Sequence, residues 1–302
     1  MAATDSGELR PLMGLLKALW KLRPPGAPEP VGARLVRRWR EKRLLRRVER
    51  EWPGGFALHR TGDLVYVPYP LDARGRHALL HPPQLHPALR GFVPAGGTAI
   101  DIGANLGEWT VPLARAVGPE GRLLAIEPAP RAAAALEKTL AANALRQAAV
   151  LRCALGEADG SAELAMPLVI SARADTGTAR VGPAAAGHET LEVALSRLDA
   201  LVALHRLDRI DFIKIDVEGH ERRVLDGASE SLARFRPVLV VETGHEGAGE
   251  RALIRNRLEG LGYRMLGILL DYGMADAGWA AYAAATPPFR PGDAHNLLLL
   301  PE

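Results

Sequence analysis

Residues 98–110 read TAIDIGANLGEWT, and the fold of the chain turns on this stretch. Apolar residues surround Asp101, as in a strand buried on both faces. Gly103 and Gly107 then bracket a short turn, and a helical pattern starts near Gly107 and runs to Val117. Glycines let the backbone come close to a ligand, and the first turn of a helix offers unpaired N–H groups to an anion. An open α/β sheet binds its ligand at the carboxyl ends of its strands, where this turn sits.

The next apolar run, LLAIEP, ends in Glu127 and Pro128. An acidic residue there is placed to accept both ribose hydroxyls of a nucleoside. The dinucleotide pattern G-x-G-x-x-G is absent, because position 105 is Asn, and the P-loop pattern is absent as well. A ligand carrying a carboxylate and an amine, such as a methionine moiety, fits a turn that bears both Asp101 and free N–H groups. A plain strand–turn–helix with structural glycines is the alternative, and Glu127 weakens it.

Further along the chain, apolar runs alternate with helical patterns, the mark of a mostly parallel sheet covered on both faces. Strands are expected at Thr98–Ile102, Arg122–Ile126, Ala149–Cys153, Ile210–Ile215, Val238–Val241, Tyr263–Gly267 and Asn296–Leu300. Helices are expected near Gly107–Val117, Arg131–Ala142, Glu221–Phe235 and Gly249–Leu261. Residues 155–195 read as a β excursion and a loop. Residues 271–294 form a long connector with Tyr272, Trp279, Tyr282 and Phe289, which either cap the substrate or pack on the sheet.

Three zones result: a basic helical extension over 1–52, a β-hairpin and connector over 53–96, and an α/β domain over 97–302. In the first, nine Lys or Arg residues fall between Arg34 and Arg50, while the whole chain carries a net charge of only +3. That segment either touches anionic lipid, nucleic acid or an acidic partner weakly, or is a solvated helix packed through Leu35, Val36, Trp39, Leu44, Leu45 and Val48. The stretch Leu9–Leu22 is interrupted by Lys17 and Lys21 and reads as a short amphipathic helix, not a signal peptide. No apolar run approaches the roughly 20 residues of a membrane span. Cys153 is the only cysteine, so no intrachain disulfide forms. A cytoplasmic location is the expectation.

DIGANLGEWT resembles motif I of class I S-adenosylmethionine-dependent methyltransferases, and in particular the FkbM family. FIKIDVEGHE at 212–221 is very close to that family's second signature. SRLDAL before it and VVET after it are similar to what the family has there. The resemblance covers roughly residues 92–302. It implies a Rossmann-like class I methyltransferase fold with a mostly parallel seven-stranded sheet, helices on both faces, and the basic helical extension outside it.

The resemblance also implies S-adenosyl-L-methionine as cofactor. Asp101, Gly103, Asn105, Gly107 and Thr110 are then expected to hold its methionine part, Glu127 with Pro128 the ribose, and Ala154 and Leu155 the adenine. Asp216, Glu218 and His220, with Glu242 from the next strand, face the reacting centre. His220 is the expected general base, with Asp216 positioning it or the substrate hydroxyl. His220 could instead cap a helix or pair with Glu218, and Asp216 could be a helix N-cap. Asp216 and Glu242 could instead bind a divalent cation, as strand-end carboxylates do in some class I enzymes, but no full ligand set is visible and no metal is expected.

The expected activity is O-methylation of a hydroxyl on a small molecule or glycan. An NAD(P)-linked oxidoreductase and a non-catalytic methyltransferase-fold binding module are the alternatives. Nucleic acid is not an expected partner, since IDVE stands where an amine-methylating N-P-P-[YF] motif would be.

Overall fold

The structure is a computed structural model. It describes residues 53–68, 73–167, 179–183, 188–244, 246–270, 273–286, 289 and 295–302, with Trp39, Lys42, Arg43, Arg46 and Arg50 singly. The chain divides into two units, Met1–Glu51 and Trp52–Glu302. In the first, the five described residues are helical and exposed, and the Arg43 guanidinium lies 5.3 Å from the Trp39 ring. The stretch Leu9–Leu22 and the other apolar positions of the basic segment lie outside the described residues. Among the described residues, no helix is long and apolar enough to cross a membrane.

The second unit starts with a hairpin, β1 (Phe56–Leu58) and β2 (Leu64–Tyr66), paired antiparallel. Helix α1 (Ala73–Leu80) follows, in a connector where the sequence suggests none. Then come β3 (Thr98–Ile102), α2 (Thr110–Val117), β4 (Arg122–Ile126), α3 (Pro130–Ala142) and β5 (Ala148–Leu151). A small antiparallel-rich sheet holds β6 (Ala154–Leu155), β7 (Gly160–Pro167), β8 (Arg180–Val181) and β9 (His188–Ser196), in the order β6-β9-β7-β8. It accounts for the β excursion expected over 155–195.

The chain continues through α4 (Leu198–Leu204), β10 (Phe212–Ile215), α5 (Glu221–Asp226), α6 (Ser229–Phe235) and β11 (Val238–Thr243). It ends with α7 (Ala248–Gly260), β12 (Tyr263–Leu270), β13 (Gly273–Ala275), α8 (Trp279–Ala284) and β14 (His295–Pro301).

The main sheet runs β13-β12-β14-β11-β10-β3-β4-β5. Its central strands are buried on both faces because alternate residues feed two cores. Ile100, Leu124, Ile213 and Val241 pack with α4 to α7 on one side. Ala99, Leu123, Ala125 and Phe212 pack with α2 and α3 on the other. Burying one such Leu or Ile fully is worth about 1.5–3 kcal/mol, so this two-sided pattern dominates the energetics of the unit. The result is a Rossmann-like α/β sheet.

The expected seven strands are all present, but the expectation of a seven-stranded, mostly parallel sheet needs correction: the sheet is mixed and has eight strands. β14 returns from the carboxyl edge and inserts antiparallel between β11 and β12. β13 folds back on β12, with Gly273 at φ +121. The helix expected over Glu221–Phe235 is two helices, α5 and α6. Gly227 lies between them, and a Cβ there would stand 1.9 Å from the Gly156 carbonyl oxygen. Asp199 caps α6 by accepting from the Ser231 N–H at 2.8 Å and its hydroxyl at 2.6 Å.

The hairpin docks on α3. The Leu64 N–H donates to Asn143 at 2.9 Å, and the Tyr66 N–H to Thr139 at 3.0 Å. In the 271–294 connector, the rings pack rather than cap. Trp279 meets Tyr282 at 6.0 Å, Tyr282 meets Phe289 at 5.4 Å, and Tyr282 and Phe289 are buried. Tyr272 lies outside the described residues.

Candidate active site

The turn after β3 is built by backbone geometry. Gly103 has φ +81, and a Cβ there would lie 1.7 Å from the Asp216 carbonyl oxygen. The loops after β3 and β10 therefore touch through a position that only glycine fills. Asn105 is left-handed at φ 46, and its N–H donates to Glu127 at 2.8 Å. The Ala129 N–H donates to the other Glu127 oxygen, also at 2.8 Å. Glu127 thus ties the ends of β3 and β4 together. Burial pushes its carboxyl up to about 7, against these two hydrogen bonds.

A pocket of about 760 Å3, counting its open mouth, lies over this turn. Of the expected cofactor residues, Gly103, Asn105, Glu127, Pro128, Ala154, Leu155 and Asp216 line it. Asp101, Gly107 and Thr110 do not; they stand behind the wall. Asp101 is 1% exposed and accepts from the Thr110 hydroxyl at 2.5 Å. Burial raises its carboxyl to about 6. Gly107 faces Leu136, 2.7 Å from where its Cβ would be, so it serves helix packing.

The loop after β10 carries Asp216, Glu218 and His220, and all three line the pocket. Glu218 is left-handed at φ 54 and Gly219 at φ 96. Buried Glu221 holds this loop by accepting from the Val217 and Gly219 N–H groups at 3.2 and 3.1 Å. The helix that follows has His220, not Asp216, at its N-cap, and His220 makes no side-chain cap bond. Both capping alternatives are therefore set aside.

His220 stands beside Gly156, next to the Ala154–Leu155 wall. Its Nε2 is buried and has no hydrogen-bond partner. Burial, helped by the Arg223 charge, lowers its pKa, so the ring is neutral.

Glu242, at the end of β11, is not part of the lining; it sits behind Asp216 and bonds to it. The strand registers of β10 and β11 bring the two carboxyls side by side. Burial, the hydrogen bond to Asp216 and the Asp216 charge raise Glu242, so it holds a proton at neutral pH. Burial also raises Asp216, but Lys214 and the Glu242 hydrogen bond outweigh it, and Asp216 stays below the usual carboxylate range. The pair shares one proton. Asp216, Glu218 and Glu242 each bring a carboxylate oxygen within 4.8 Å of the others, a closer cluster than the sequence suggests.

Four residues of this site were not expected. Lys214 is fully buried, 3.5 Å from Asp216 and 5.3 Å from the Trp109 ring. Trp109 and Glu108 come from the motif turn itself and line the pocket. Arg74, from α1, lies 3.2 Å from Glu108. Burial raises Glu108, but the His77 hydrogen bond at 2.7 Å and the Arg74 charge outweigh it, so its carboxylate is ionised. Trp109 and Glu108 were legible in GEWT, and Lys214 in IKID. Arg74 carries no sequence signal.

A family model described as the methyltransferase FkbM domain matches residues 101–265. Methyltransferase sdnD of Sordaria araneosa is 30% identical over 196 residues, covering 57% of this chain and 75% of that protein. Methyltransferase 1 of Beauveria bassiana (strain ARSEF 2860) is 28% identical over 184 residues, covering 56% of this chain and 73% of its own. Among solved structures, methyltransferase FkbM from Methylobacillus flagellatus KT is similar with a TM-score of 0.38 and 17% identity. The match covers 78% of this chain and 48% of that one, so the chain spans about half of that structure's length. The matched span contains the glycine turn, Glu127 and the strand-end carboxylates alike, and the chain belongs to the FkbM methyltransferase family.

Proposed function

We propose that the protein is an S-adenosylmethionine-dependent O-methyltransferase whose base is the Asp216–Glu242 pair. The pocket's residues fit that cofactor. Glu127 would hold the ribose, the Gly103–Asn105 turn the methionine end, and Ala154, Leu155 and the His220 Nε2 the adenine edge. When bound, the cofactor supplies an electrophilic methyl group. The chain's own residues exclude water, align the acceptor and take a proton.

The observation that carries this reading is the ionised Asp216 carboxylate on the pocket wall, backed by protonated Glu242 and buried Lys214. A carboxylate so placed accepts a hydroxyl proton. His220 instead stands on the adenine side of the pocket, with neutral character suited to hydrogen bonding. The test offers labelled S-adenosylmethionine with a panel of alcohols and matched amines and thiols. Methyl ethers as products, formed by the wild type and lost in Asp216→Asn, support the proposal. Transfer to amines or thiols alone would contradict it.

A further inference from the structure

The pocket over the glycine turn does not end at Glu108 and Trp109. These two residues also line a second, wider cleft of about 1710 Å3, counting its open mouth. One wall is the end of α1 and the chain after it, with His77, His81 and His86. The other is formed by strand ends, including His295 and Asn296. Asn296 is the register partner of Glu242, and His295 of Thr243. The cleft therefore begins one strand away from the Asp216–Glu242 pair.

Its chemistry is selective. Among the described residues that line it there is no Lys or Arg, and its one acidic residue, Glu108, is ionised. Glu108 is already held by Arg74 and His77, so the lining offers a phosphate or carboxylate no Lys or Arg partner of its own. His77 and His86 are engaged with Glu108, Ala88 and Leu270, which leaves the His81 and His295 rings and the amides of Gln84 and Asn296 to offer hydrogen bonds; the Asn296 Oδ1 is buried without a partner. A wholly apolar acceptor would leave the buried Asn296 Oδ1 unpaired. Trp109, with Pro82, Pro83 and Pro87, adds flat apolar surface. Flat apolar faces edged by donors and acceptors match a pyranose ring, whose C–H face stacks on an aromatic plane while its hydroxyls point outward. The open mouth admits a chain longer than one ring.

We propose that this cleft binds the methyl acceptor, and that the acceptor is a neutral saccharide stacked on Trp109 with one hydroxyl presented to Asp216. This rests on the methyltransferase reading above. The new oxygen–methyl bond forms as the methyl–sulfur bond breaks, the bonding electron pair stays on sulfur, and the hydroxyl proton passes to Asp216.

The test is saturation-transfer NMR on the full chain without cofactor. The probes are neutral methyl hexopyranosides and disaccharides, their phosphates, and a matched aromatic alcohol. The expected result is binding of neutral saccharides in preference to the other two classes. His81→Ala should weaken it about two- to tenfold, the loss of one hydrogen bond, with S-adenosylhomocysteine affinity as the control for folding. Stronger binding of the phosphates or the aromatic alcohol, or saccharide binding indifferent to His81→Ala, overturns the assignment. Failure of the methyltransferase reading shows separately, as absence of S-adenosylhomocysteine binding, and removes the saccharide's role as methyl acceptor with it.

Discussion

The buried Lys214 ammonium group stands 3.5 Å from the Asp216 carboxylate, which in turn shares a proton with Glu242. Lys214 has one backbone hydrogen bond, to the Ile215 carbonyl at 3.2 Å, and lies over the Trp109 ring at 5.3 Å. Its charge favours the ionised form of both carboxyls and, with the Glu242 hydrogen bond, holds Asp216 below the usual carboxylate range against burial. Asp216 has a folded pKa lowered by Lys214, so its contribution to stability is present above its unfolded value and fades as pH falls through the folded one. In Lys214→Met that depression is relieved. The acid limb of the kcat/KM profile should move to higher pH, and turnover should fall about ten- to a hundredfold. An acid limb that stays in place would detach Lys214 from the base.

Asp216→Asn and His220→Ala separate the two candidate bases. Asp216→Asn should lower kcat about 10²- to 10⁴-fold while S-adenosylhomocysteine still binds. His220→Ala should weaken cofactor binding and leave most of kcat, because its ring lies beside Gly156 and the Ala154–Leu155 wall. The reverse pattern in steady-state kinetics would restore His220 as the base.

Glu127 predicts a pH dependence of cofactor affinity. Burial raises its carboxyl to about 7. A raised carboxyl lends stability below its unfolded pKa and loses it as pH rises through the folded value. The ionised form is also the better acceptor for ribose hydroxyls. The cofactor-free protein should therefore lose melting temperature from this group between about pH 5 and pH 8, while S-adenosylhomocysteine affinity rises across about pH 6 to pH 8. Glu127→Gln should flatten the affinity profile, and calorimetry at several pH values checks it.

Gly103→Ala should abolish cofactor binding. A Cβ at φ +81 and 1.7 Å from the Asp216 carbonyl forces the two loops apart, at a cost of order 1–3 kcal/mol from the backbone conformation alone. Thermal denaturation read beside cofactor titration distinguishes a displaced loop from an unfolded chain. Wild-type affinity in this variant would mean that the contact between the two turns is dispensable.

Much of the fold was legible because buried strands announce themselves. TAIDI, LLAI, FIKI and VLVV are apolar runs of strand length, and each is a strand of the main sheet. The mixed character of the sheet was not legible, because strand direction depends on where the last connector brings the chain back, and nothing in HNLLLLP encodes that. The break at Gly227 arises from its close approach to Gly156, some 70 residues away in sequence. In the site, the motif turns located Gly103, Glu127 and Asp216. The roles of Lys214, Glu108 and Glu242 depend on pairing between neighbouring strands and loops, which only the register supplies. Asp101 and Thr110 read as cofactor contacts because they flank the glycine turn, but the strand's alternation turns Asp101 inward to Thr110.

Titration calorimetry with S-adenosylhomocysteine, run beside NAD and NADP, tests the central claim most directly. Saturable one-site binding of S-adenosylhomocysteine alone, sharply weakened by Glu127→Ala, is the predicted result. Absence of that binding, or preference for a nicotinamide dinucleotide, would contradict the cofactor assignment on which the proposed chemistry stands.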